Sequence, residues 1–273
     1  MSEKKSPRVL VLRTAGTNCD EETAFAFRSF GAKADLVHIN RLFEGTARLS
    51  DYHILAIPGG FTYGDDIVSG RILANELRLR LGDDIQDFIK ARKLIIGICN
   101  GFQALVRSGI LPGDLGVKSQ GEASFQQTVT LTYNESGKFE DRWTYLRLSG
   151  KSVWTKGLED VIYIPVAHAE GKFVPRDDKL LNKLKKNGQV AFRYCDEQGN
   201  PAAYPGNPNG SIDDIAGITD KTGRVLGLMP HPERHFIFEH HPRWTRFEKK
   251  ESFGQGAQIF KNGVQYVKEK LLA

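Results

Sequence analysis

Apolar and polar positions change their spacing regularly along the first hundred residues. Short continuous apolar runs are followed by segments with helical periodicity, which end at turn residues such as Gly31. Buried runs that alternate with amphipathic helices are typical of a mostly parallel sheet flanked by helices. The predicted strands are 8–13, 34–39, 54–57 and 93–98, and the predicted helices are 19–30, 66–81 and 84–91. We therefore predict an α/β fold in which the carboxyl ends of the strands share one edge.

The pattern changes after residue 113, where short segments of more antiparallel character replace the earlier alternation. The predicted elements are strands at 127–133, 143–148 and 161–166, an exposed helix at 177–187, a hairpin of 190–195 with 202–204, a strand at 225–229 and an amphipathic helix at 255–272. Because no internal repeat is present, we predict one domain over 8–273 behind a flexible N-terminus at 1–7. The antiparallel strands are expected to form a small extension of the main sheet.

The composition fits an ordinary globular protein, with 40% apolar and 26% charged residues among 273. No apolar run approaches the roughly 18 residues of a membrane span, and residues 1–7 lack the apolar core of a secretory signal. The cysteines Cys19, Cys99 and Cys195 are too widely spaced for a disulfide framework or a Cys-x-x-Cys metal site. We therefore expect a cytoplasmic protein without membrane contact.

The net charge is +5 at neutral pH, and much of the positive surplus lies in the C-terminal tail. A basic tail could meet an acidic partner, although such charge runs more often form a solvated face. No nucleic-acid-binding motif accompanies the tail, so we expect no nucleic-acid partner.

The sequence Gly97-Ile98-Cys99-Asn100-Gly101 ends a buried run and opens a segment of helical periodicity. Glycines on both sides of the cysteine let strand and helix approach closely around a strained turn, as in the nucleophile elbow of hydrolases. A helix N-terminus behind such a thiol favours the thiolate and offers backbone N–H groups to an oxyanion. The alternative is a cysteine that packs as a small apolar group, but the two glycines favour a nucleophile.

A thiol nucleophile needs a base and a group that orients the base. Among the seven histidines, His231 directly follows an apolar strand and lies between Pro230 and Pro232, which impose a turn of defined geometry. Glu233 is two residues further on, so an extended backbone would point both side chains the same way. These residues predict a triad of Cys99, His231 and Glu233.

Two alternatives to the triad remain open on the sequence. His231 and Glu233 could form only a surface ion pair. With His235 they could also bind a metal, but Pro232 disfavours the helix that ligands at i and i+4 require, and no third ligand is evident. We therefore expect no metal site.

Backbone N–H groups for an oxyanion hole lie at two predicted strand ends. Asn100 follows the nucleophile, and Gly60 follows Gly59 at the end of a neighbouring strand, where glycine presents its N–H at close range. Gln103 lies one turn beyond Cys99 and could reach a substrate or cap helix polarity. The chain has neither a Gly-x-x-x-x-Gly-Lys loop nor a Gly-x-Gly-x-x-Gly loop after a strand, so we expect no nucleotide cofactor on this chain.

Three stretches accompany the Cys99 elbow and narrow its interpretation. They are residues 16–20 (Gly-Thr-Asn-Cys-Asp), 58–65 (Pro-Gly-Gly-Phe-Thr-Tyr-Gly-Asp) and 229–234 (Met-Pro-His-Pro-Glu-Arg). Together they resemble the class I, or triad, glutamine amidotransferases, and most closely the family of glutaminase subunits of phosphoribosylformylglycinamidine synthases. Residues 168–171 (His-Ala-Glu-Gly) resemble a His-Gly-Glu-Gly element of that family, from which Ala169 departs. The resemblance covers most of residues 8–240 and implies a flavodoxin-like fold.

The resemblance implies an enzyme that hydrolyses L-glutamine to glutamate and ammonia through a Cys99 thioester. Gly60 and Asn100 would hold the oxyanion, and the glutamine-binding residues would be Phe61, Gln103, His168 and Glu170. A separate synthetase subunit would use ATP and Mg²⁺ to make formylglycinamidine ribonucleotide in purine biosynthesis, and a small subunit would bridge the two. The chain looks longer than the usual small glutaminase subunit, and its extra residues at about 175–222 would be an insertion, whose role the resemblance does not assign.

Two other functions remain compatible with the sequence. A related Cys-elbow hydrolase would share the elbow, but it would not need residues 58–65 or Gln103. A non-catalytic partner-binding module would not need an intact triad. Cys19 is expected to be dispensable for turnover, because no base follows it in the sequence pattern.

Overall fold

The computed structural model describes residues 6–65, 67–113, 125–248 and 252–273. The predicted flexible N-terminus lies largely outside these residues, and so does Asp66, the first residue of a predicted helix. Within the described residues, no helix is long and apolar enough to cross a membrane.

The parallel half of the main sheet contains five strands. They are β1 (Arg8–Arg13), β2 (Lys33–His38), β3 (Ile54–Ile57), β4 (Leu94–Ile98) and β11 (Val225–Leu228). Their order is β2-β1-β3-β4-β11, and every neighbouring pair is parallel. All residues of β3, β4 and β11 are buried, as expected for strands covered on both faces.

An antiparallel half continues the same sheet beyond β11. Its strands are β6 (Glu140–Leu148), β7 (Val161–His168), β9 (Val190–Cys195) and β10 (Ile215–Thr219). They complete a nine-stranded sheet in the order β11-β10-β9-β6-β7. A separate two-stranded sheet pairs β5 (Val129–Tyr133) with β8 (Glu170–Pro175). The predicted fold class, an α/β sheet with an antiparallel extension, is confirmed.

The predicted hairpin of 190–195 with 202–204 is wrong in its second strand. β9 pairs with β6 on one edge and with β10 on the other, so no edge remains for residues 202–204. The sequence pattern also did not predict β8 or β10 as strands. Both β9 and β10 come from the segment at 175–222, and both lie inside the main sheet.

Seven helices are found in the described parts of the chain. They are α1 (Asp20–Arg28), α2 (Ile39–Phe43), α3 (Arg71–Arg80), α4 (Gly82–Lys90), α5 (Asn100–Arg107), α6 (Asp178–Lys186) and α7 (Ala257–Lys270). The terminal helix α7 packs on α1, where the rings of Phe27 and Phe260 meet edge to face with centroids 5.1 Å apart. The helix predicted at 66–81 begins only at Arg71, because Gly70 directly before it adopts a left-handed conformation with a φ angle of 73°.

The strand order reverses between β1 and β3. The chain runs from β1 through α1 to β2 on one side, and then crosses to β3 on the other, which opens a crevice at the carboxyl ends of these strands. The turns after β1 and β3 meet there, since Thr17 and Gly60 form an antiparallel bridge. A Cβ atom on Gly16 would lie 1.9 Å from the carbonyl oxygen of Phe61, so only glycine fits at that contact.

Candidate active site

Cys99 lies at the junction of β4 and α5, with backbone angles φ 50° and ψ −106°. This conformation is strained for a residue that carries a side chain. A Cβ atom on Gly101 would lie 1.9 Å from the carbonyl oxygen of Ile57, so α5 approaches β3 as only glycine permits. The Cys99 N–H donates to the Leu228 carbonyl oxygen at 2.8 Å, and the thiol lies 3.6 Å from the Ala167 carbonyl oxygen. The turn therefore has the geometry of a nucleophile elbow.

His231 follows β11, the strand next to β4, and its backbone N–H donates to the Pro165 carbonyl oxygen at 2.8 Å. Its Nδ1 lies 2.6 Å from Oε1 of Glu233, and the two side chains are 2% and 0% exposed. The pair is therefore not a surface ion pair. The expected extended backbone is wrong in detail, because Glu233 lies in a short 3₁₀ helix, Pro232–His235, whose first position suits proline.

The surroundings of His231 favour its charged form. Burial opposes the charge, but the neighbouring Glu233 carboxylate and the Cys99 and Cys19 thiols outweigh burial and raise the pKa of His231 well above its ordinary value. Because Nδ1–H donates to Glu233, Nε2 is the nitrogen left for chemistry. Nε2 is buried and has no hydrogen-bond partner among the described residues. It can therefore exchange a proton with a substrate or with the Cys99 thiol.

The two predicted oxyanion donors lie beside the nucleophile. Asn100 is the first residue of α5, so its backbone N–H has no partner within the helix. Gly60 pairs with Thr17, but the hydrogen bonds of that bridge are made by the flanking residues, which directs the Gly60 N–H away from Thr17. The turn is close to the thiol, since a Cβ atom on Gly59 would lie 3.4 Å from Cys99 Cβ. Neither N–H group is used by its own segment.

The side chain of Asn100 ties the loop after β3 to helix α5. Its Oδ1 accepts from the Thr62 hydroxyl at 2.6 Å, and its Nδ2 donates to Asp65 Oδ1 at 3.1 Å and to Gln103 Oε1 at 2.9 Å. Asn100 is 1% exposed, so these bonds are protected from water. The loop that carries Gly60 is therefore held against the elbow helix.

Glu170 begins β8, and its carboxylate is buried against Arg107 of α5. Its Oε2 lies 3.1 Å from Nη2 of Arg107, and the side chains are 7% and 13% exposed. Arg107 also donates to the carbonyl oxygens of Ser69 and Leu131, each at 2.8 Å. Gln103 Nε2 donates to the backbone oxygen of Glu170 at 2.5 Å. The side chains of Glu170 and Gln103 therefore have protein partners. The sequence did not single out Arg107, because a basic residue in the last turn of a helix is common.

His168 ends β7 as a buried, neutral imidazole. Its Nε2 accepts from Asn209 Nδ2 at 3.0 Å, and burial together with the charge of His231 lowers the pKa of His168 to about 3. Its Nδ1 is buried without a hydrogen-bond partner in the described chain. The sequence missed Asn209, which lies in a loop whose composition indicated only a turn.

Phe61, another predicted glutamine contact, is 46% exposed and stacks on Phe139 with ring centroids 6.4 Å apart.

Cys19 lies in surroundings that the sequence did not predict. Its Sγ lies 4.0 Å from Nδ1 of His231, and Arg234 Nη2 donates to Sγ at 3.3 Å. Burial raises the pKa of the Cys19 thiol, although the hydrogen bond with His231 acts in the opposite direction. One imidazole therefore stands near both thiols, which the sequence pattern did not predict, and the dispensability of Cys19 for turnover stays a prediction. The available signal was topological, because Cys19 follows β1 at the point where the strand order reverses.

His235 is turned away from the arrangement that the metal alternative required. Its Nδ1 donates to the carbonyl oxygen of Tyr163 at 2.7 Å. The described residues contain one group of three whose thiol, imidazole and carboxylate donors lie within 4.8 Å of one another, namely Cys19, His231 and Glu233.

Known proteins resemble this chain over nearly its whole length. Residues 6–267 match the CobB/CobQ-like glutamine amidotransferase domain. The phosphoribosylformylglycinamidine synthase subunit PurQ of Dehalococcoides mccartyi is 48% identical over 96% of this chain and 98% of that protein. The PurQ subunit of Archaeoglobus fulgidus is 43% identical over 98% of this chain and 100% of that protein. Among solved structures, a chain of PurLQS from Thermotoga maritima is 29% identical with a TM-score of 0.70, and the match covers 96% of this chain and 100% of that chain.

Proposed function

This chain belongs to the CobB/CobQ-like glutamine amidotransferase family, and on that premise we propose that it is the glutaminase subunit of a phosphoribosylformylglycinamidine synthase. It hydrolyses L-glutamine and supplies ammonia for purine biosynthesis. The observation that carries its chemistry is the buried contact of 2.6 Å between His231 Nδ1 and Glu233 Oε1 beside the strained elbow of Cys99. A cysteine that only fills space in a core requires neither feature.

The reaction begins when the Cys99 thiolate attacks the amide carbon of the glutamine side chain. The C–S bond forms as the carbonyl electron pair moves to oxygen, and the backbone N–H groups of Gly60 and Asn100 donate to that oxyanion. Losing one such donor typically costs about 10²–10³ in rate. The C–N bond then breaks as His231 Nε2 gives its proton to the nitrogen, so ammonia leaves and a glutamyl thioester remains.

Water completes the turnover. The unprotonated Nε2 of His231 accepts a proton from the water that attacks the thioester, and the collapse of the second intermediate releases glutamate and the Cys99 thiolate. Glu233 stays ionised and stabilises each imidazolium that forms. The raised pKa of His231 suits its role as the acid that protonates ammonia.

The predicted glutamine contacts fall into two groups by exposure. Phe61 is half-exposed next to Gly60, and we assign to it direct contact with the substrate. Gln103, His168 and Glu170 are buried and hydrogen-bonded within the protein, so they shape the pocket wall. The unpartnered Nδ1 of His168 is the polar atom of this group that a substrate could satisfy.

The ammonia passes to a separate synthetase subunit that binds ATP and Mg²⁺, with a small third subunit between the two. The similar Thermotoga maritima chain comes from a structure of PurLQS, which supports this division. We place the protein in the cytoplasm, where cysteines stay reduced, since Cys19, Cys99 and Cys195 are all free thiols.

Ammonia release from L-glutamine tests the proposal. We compare the wild type, Cys99→Ala and the matched variant Cys195→Ala, each alone and with the synthetase and bridging subunits. Cys195 lies in β9 opposite Tyr145, outside the contacts described for the site. We expect slow release alone, strong stimulation in the complex, loss of turnover in Cys99→Ala and retention in Cys195→Ala.

Two results would contradict the proposal in different ways. Undiminished release by Cys99→Ala would refute the thioester mechanism. Release that depends on Cys99 but never yields the amidine product in the reconstituted complex would point to another Cys-elbow hydrolase.

A further inference from the structure

Cys19, His231 and Glu233 form a buried cluster that the thioester chemistry does not fully use. Their donor atoms lie within 4.8 Å of one another, and Cys19 has no step in the mechanism. Oε2 of Glu233 is buried and lacks a hydrogen-bond partner in the described part of the chain. An unpaired buried carboxylate oxygen is costly, which points to a ligand. We propose that these three residues form an inhibitory site for a thiophilic divalent metal ion, for which Zn²⁺ is the best fit.

The donor set selects the ion. A thiolate, an imidazole nitrogen and a carboxylate oxygen are the ligands that Zn²⁺ takes in proteins, whereas Mg²⁺ and Ca²⁺ prefer oxygen donors. One thiolate and one carboxylate balance the charge of the ion, so the Arg234 guanidinium is the charge that remains beside the occupied cluster. Three protein ligands leave the fourth tetrahedral position for water.

The cluster must contract and rearrange to hold the ion, since its donor atoms lie within 4.8 Å of one another. Ligand atoms around a tetrahedral Zn²⁺ are about 3.3–3.6 Å apart, given metal–ligand distances of about 2.0–2.3 Å. Sγ of Cys19 and Nδ1 of His231 are 4.0 Å apart, so they must approach by roughly 0.5 Å. The present hydrogen bond of 2.6 Å between Nδ1 and Glu233 Oε1 must open, and the unpartnered Oε2 can then serve as a ligand.

The polar neighbours of Cys19 act in opposite directions on its thiol. The Sγ–H group donates to the side-chain oxygen of Asn18 at 3.2 Å, which favours the neutral thiol, and this hydrogen bond is lost when a metal binds. Arg234 donates to the same sulfur at 3.3 Å and can continue to do so at a metal-bound thiolate. Because the ion displaces protons from Sγ and from Nδ1, its affinity rises with pH.

Metal binding would stop turnover through the tautomer of His231. With the ion on Nδ1, the neutral imidazole keeps its single proton on Nε2. Nε2 can then neither accept a proton from water nor carry the positive charge that accompanies the Cys99 thiolate. The predicted inhibition rests on the proposed glutaminase function, whereas binding of the ion does not.

A direct binding experiment separates the two claims. Metal-free full-length protein is titrated with Co²⁺, whose thiolate complexes show a charge-transfer absorption, and Zn²⁺ is then added as a competitor. The variants are Cys19→Ser, Cys99→Ser and Cys195→Ser. We expect one ion per chain and a thiolate band in the wild type, Cys99→Ser and Cys195→Ser. In Cys19→Ser we expect loss of the band and at least about tenfold weaker Zn²⁺ binding.

Glu233→Gln provides a second variant that keeps the side-chain volume. It should retain the thiolate band but bind Zn²⁺ about tenfold or more weakly, because a charged ligand is lost. The proposal is overturned if Cys19→Ser or Glu233→Gln binds Zn²⁺ like the wild type, or if Cys99→Ser loses the band while Cys19→Ser keeps it. Absence of stoichiometric binding to the wild type would overturn it as well.

Inhibition is measured on ammonia release, with each variant compared with its own metal-free rate. Zn²⁺ should inhibit the wild type, a chelator should restore it, and the half-inhibitory concentration should rise at least about tenfold in Cys19→Ser. Equal inhibition of Cys19→Ser and the wild type would refute the inhibitory role. A metal-free wild type that releases no ammonia would count against the proposed function and leave the binding result standing.

Discussion

Replacing Glu233 by glutamine removes one charge from the site and keeps the volume of the side chain. In the wild type, Glu233 Oε1 accepts from His231 Nδ1 at 2.6 Å, and both groups are excluded from water. A glutamine can accept the same hydrogen bond, but it cannot balance an imidazolium. It can also donate its amide N–H to Nδ1, which would move the imidazole proton to Nε2.

The size of the effect follows from these two losses. A hydrogen bond to a charged group contributes about 1.5–3 kcal/mol, which corresponds to about 10- to 150-fold in rate. Where the analogous exchange reverses the tautomer in the serine-protease triad, the cost is about 10⁴. We therefore expect kcat for glutamine hydrolysis to fall about 10²- to 10⁴-fold in Glu233→Gln, depending on which face of the amide meets Nδ1.

The pH dependence of turnover tests the role of Glu233 independently of the size of the rate loss. Glu233 is a main cause of the raised pKa of His231, and burial acts in the opposite direction. Without the carboxylate the pKa of His231 falls, so the acid that protonates ammonia is lost at lower pH. The alkaline limb of kcat/KM should therefore move to lower pH in Glu233→Gln.

The assay is ammonia release in the reconstituted complex, with Glu21→Gln as the matched control. Glu21 is exposed in the first turn of α1, so the same chemical change there should leave both rate and pH profile unaltered. If Glu233→Gln stays within about threefold of the wild-type kcat and keeps its alkaline limb, the assigned role of Glu233 is refuted.

Two further predictions concern the groups that hold the site in place. Arg107→Met leaves Glu170 buried and unpaired, and we expect a loss of about 3–5 kcal/mol in urea unfolding, part of which the double variant with Glu170→Gln should recover. Gly101→Ala places a Cβ atom 1.9 Å from the carbonyl oxygen of Ile57, so we expect the free energy of unfolding to fall by at least about 1–3 kcal/mol. Turnover should fall by a larger free-energy equivalent, because the same contact positions the Cys99 elbow. Gly82→Ala is its control, because a Cβ atom there meets nothing within 4 Å; a control as destabilised as Gly101→Ala would refute the packing argument.

The parallel half of the sheet was predictable because its strands are encoded locally. The apolar runs at 8–13 and 54–57 coincide with β1 and β3, since a strand covered on both faces needs an uninterrupted apolar segment. The antiparallel half was less predictable. β10 lies in a short apolar stretch whose pairing partners, β9 and β11, are chosen by the packing of the whole sheet rather than by local periodicity.

The chemistry of the site divides in the same way. Cys99, His231 and Glu233 could be predicted from the sequence as a triad, because each stands at a local turn whose glycines or prolines mark it. No local pattern indicated that Cys19 lies next to His231, because 212 residues separate the two in the chain.

The sequence by itself determined the turn at Cys99, the position of His231 after an apolar strand and the strands that present them, since these depend on turn residues and apolar runs a few positions away. Only the tertiary structure decided what surrounds them. β7 is the last strand in the sheet order, yet the carbonyl oxygens of Pro165 and Ala167 contact the His231 N–H and the Cys99 thiol. Contacts of this kind are set by the packing of distant segments, which no local pattern of hydrophobic and polar residues records. For that reason the second thiol beside His231 emerged only from the fold.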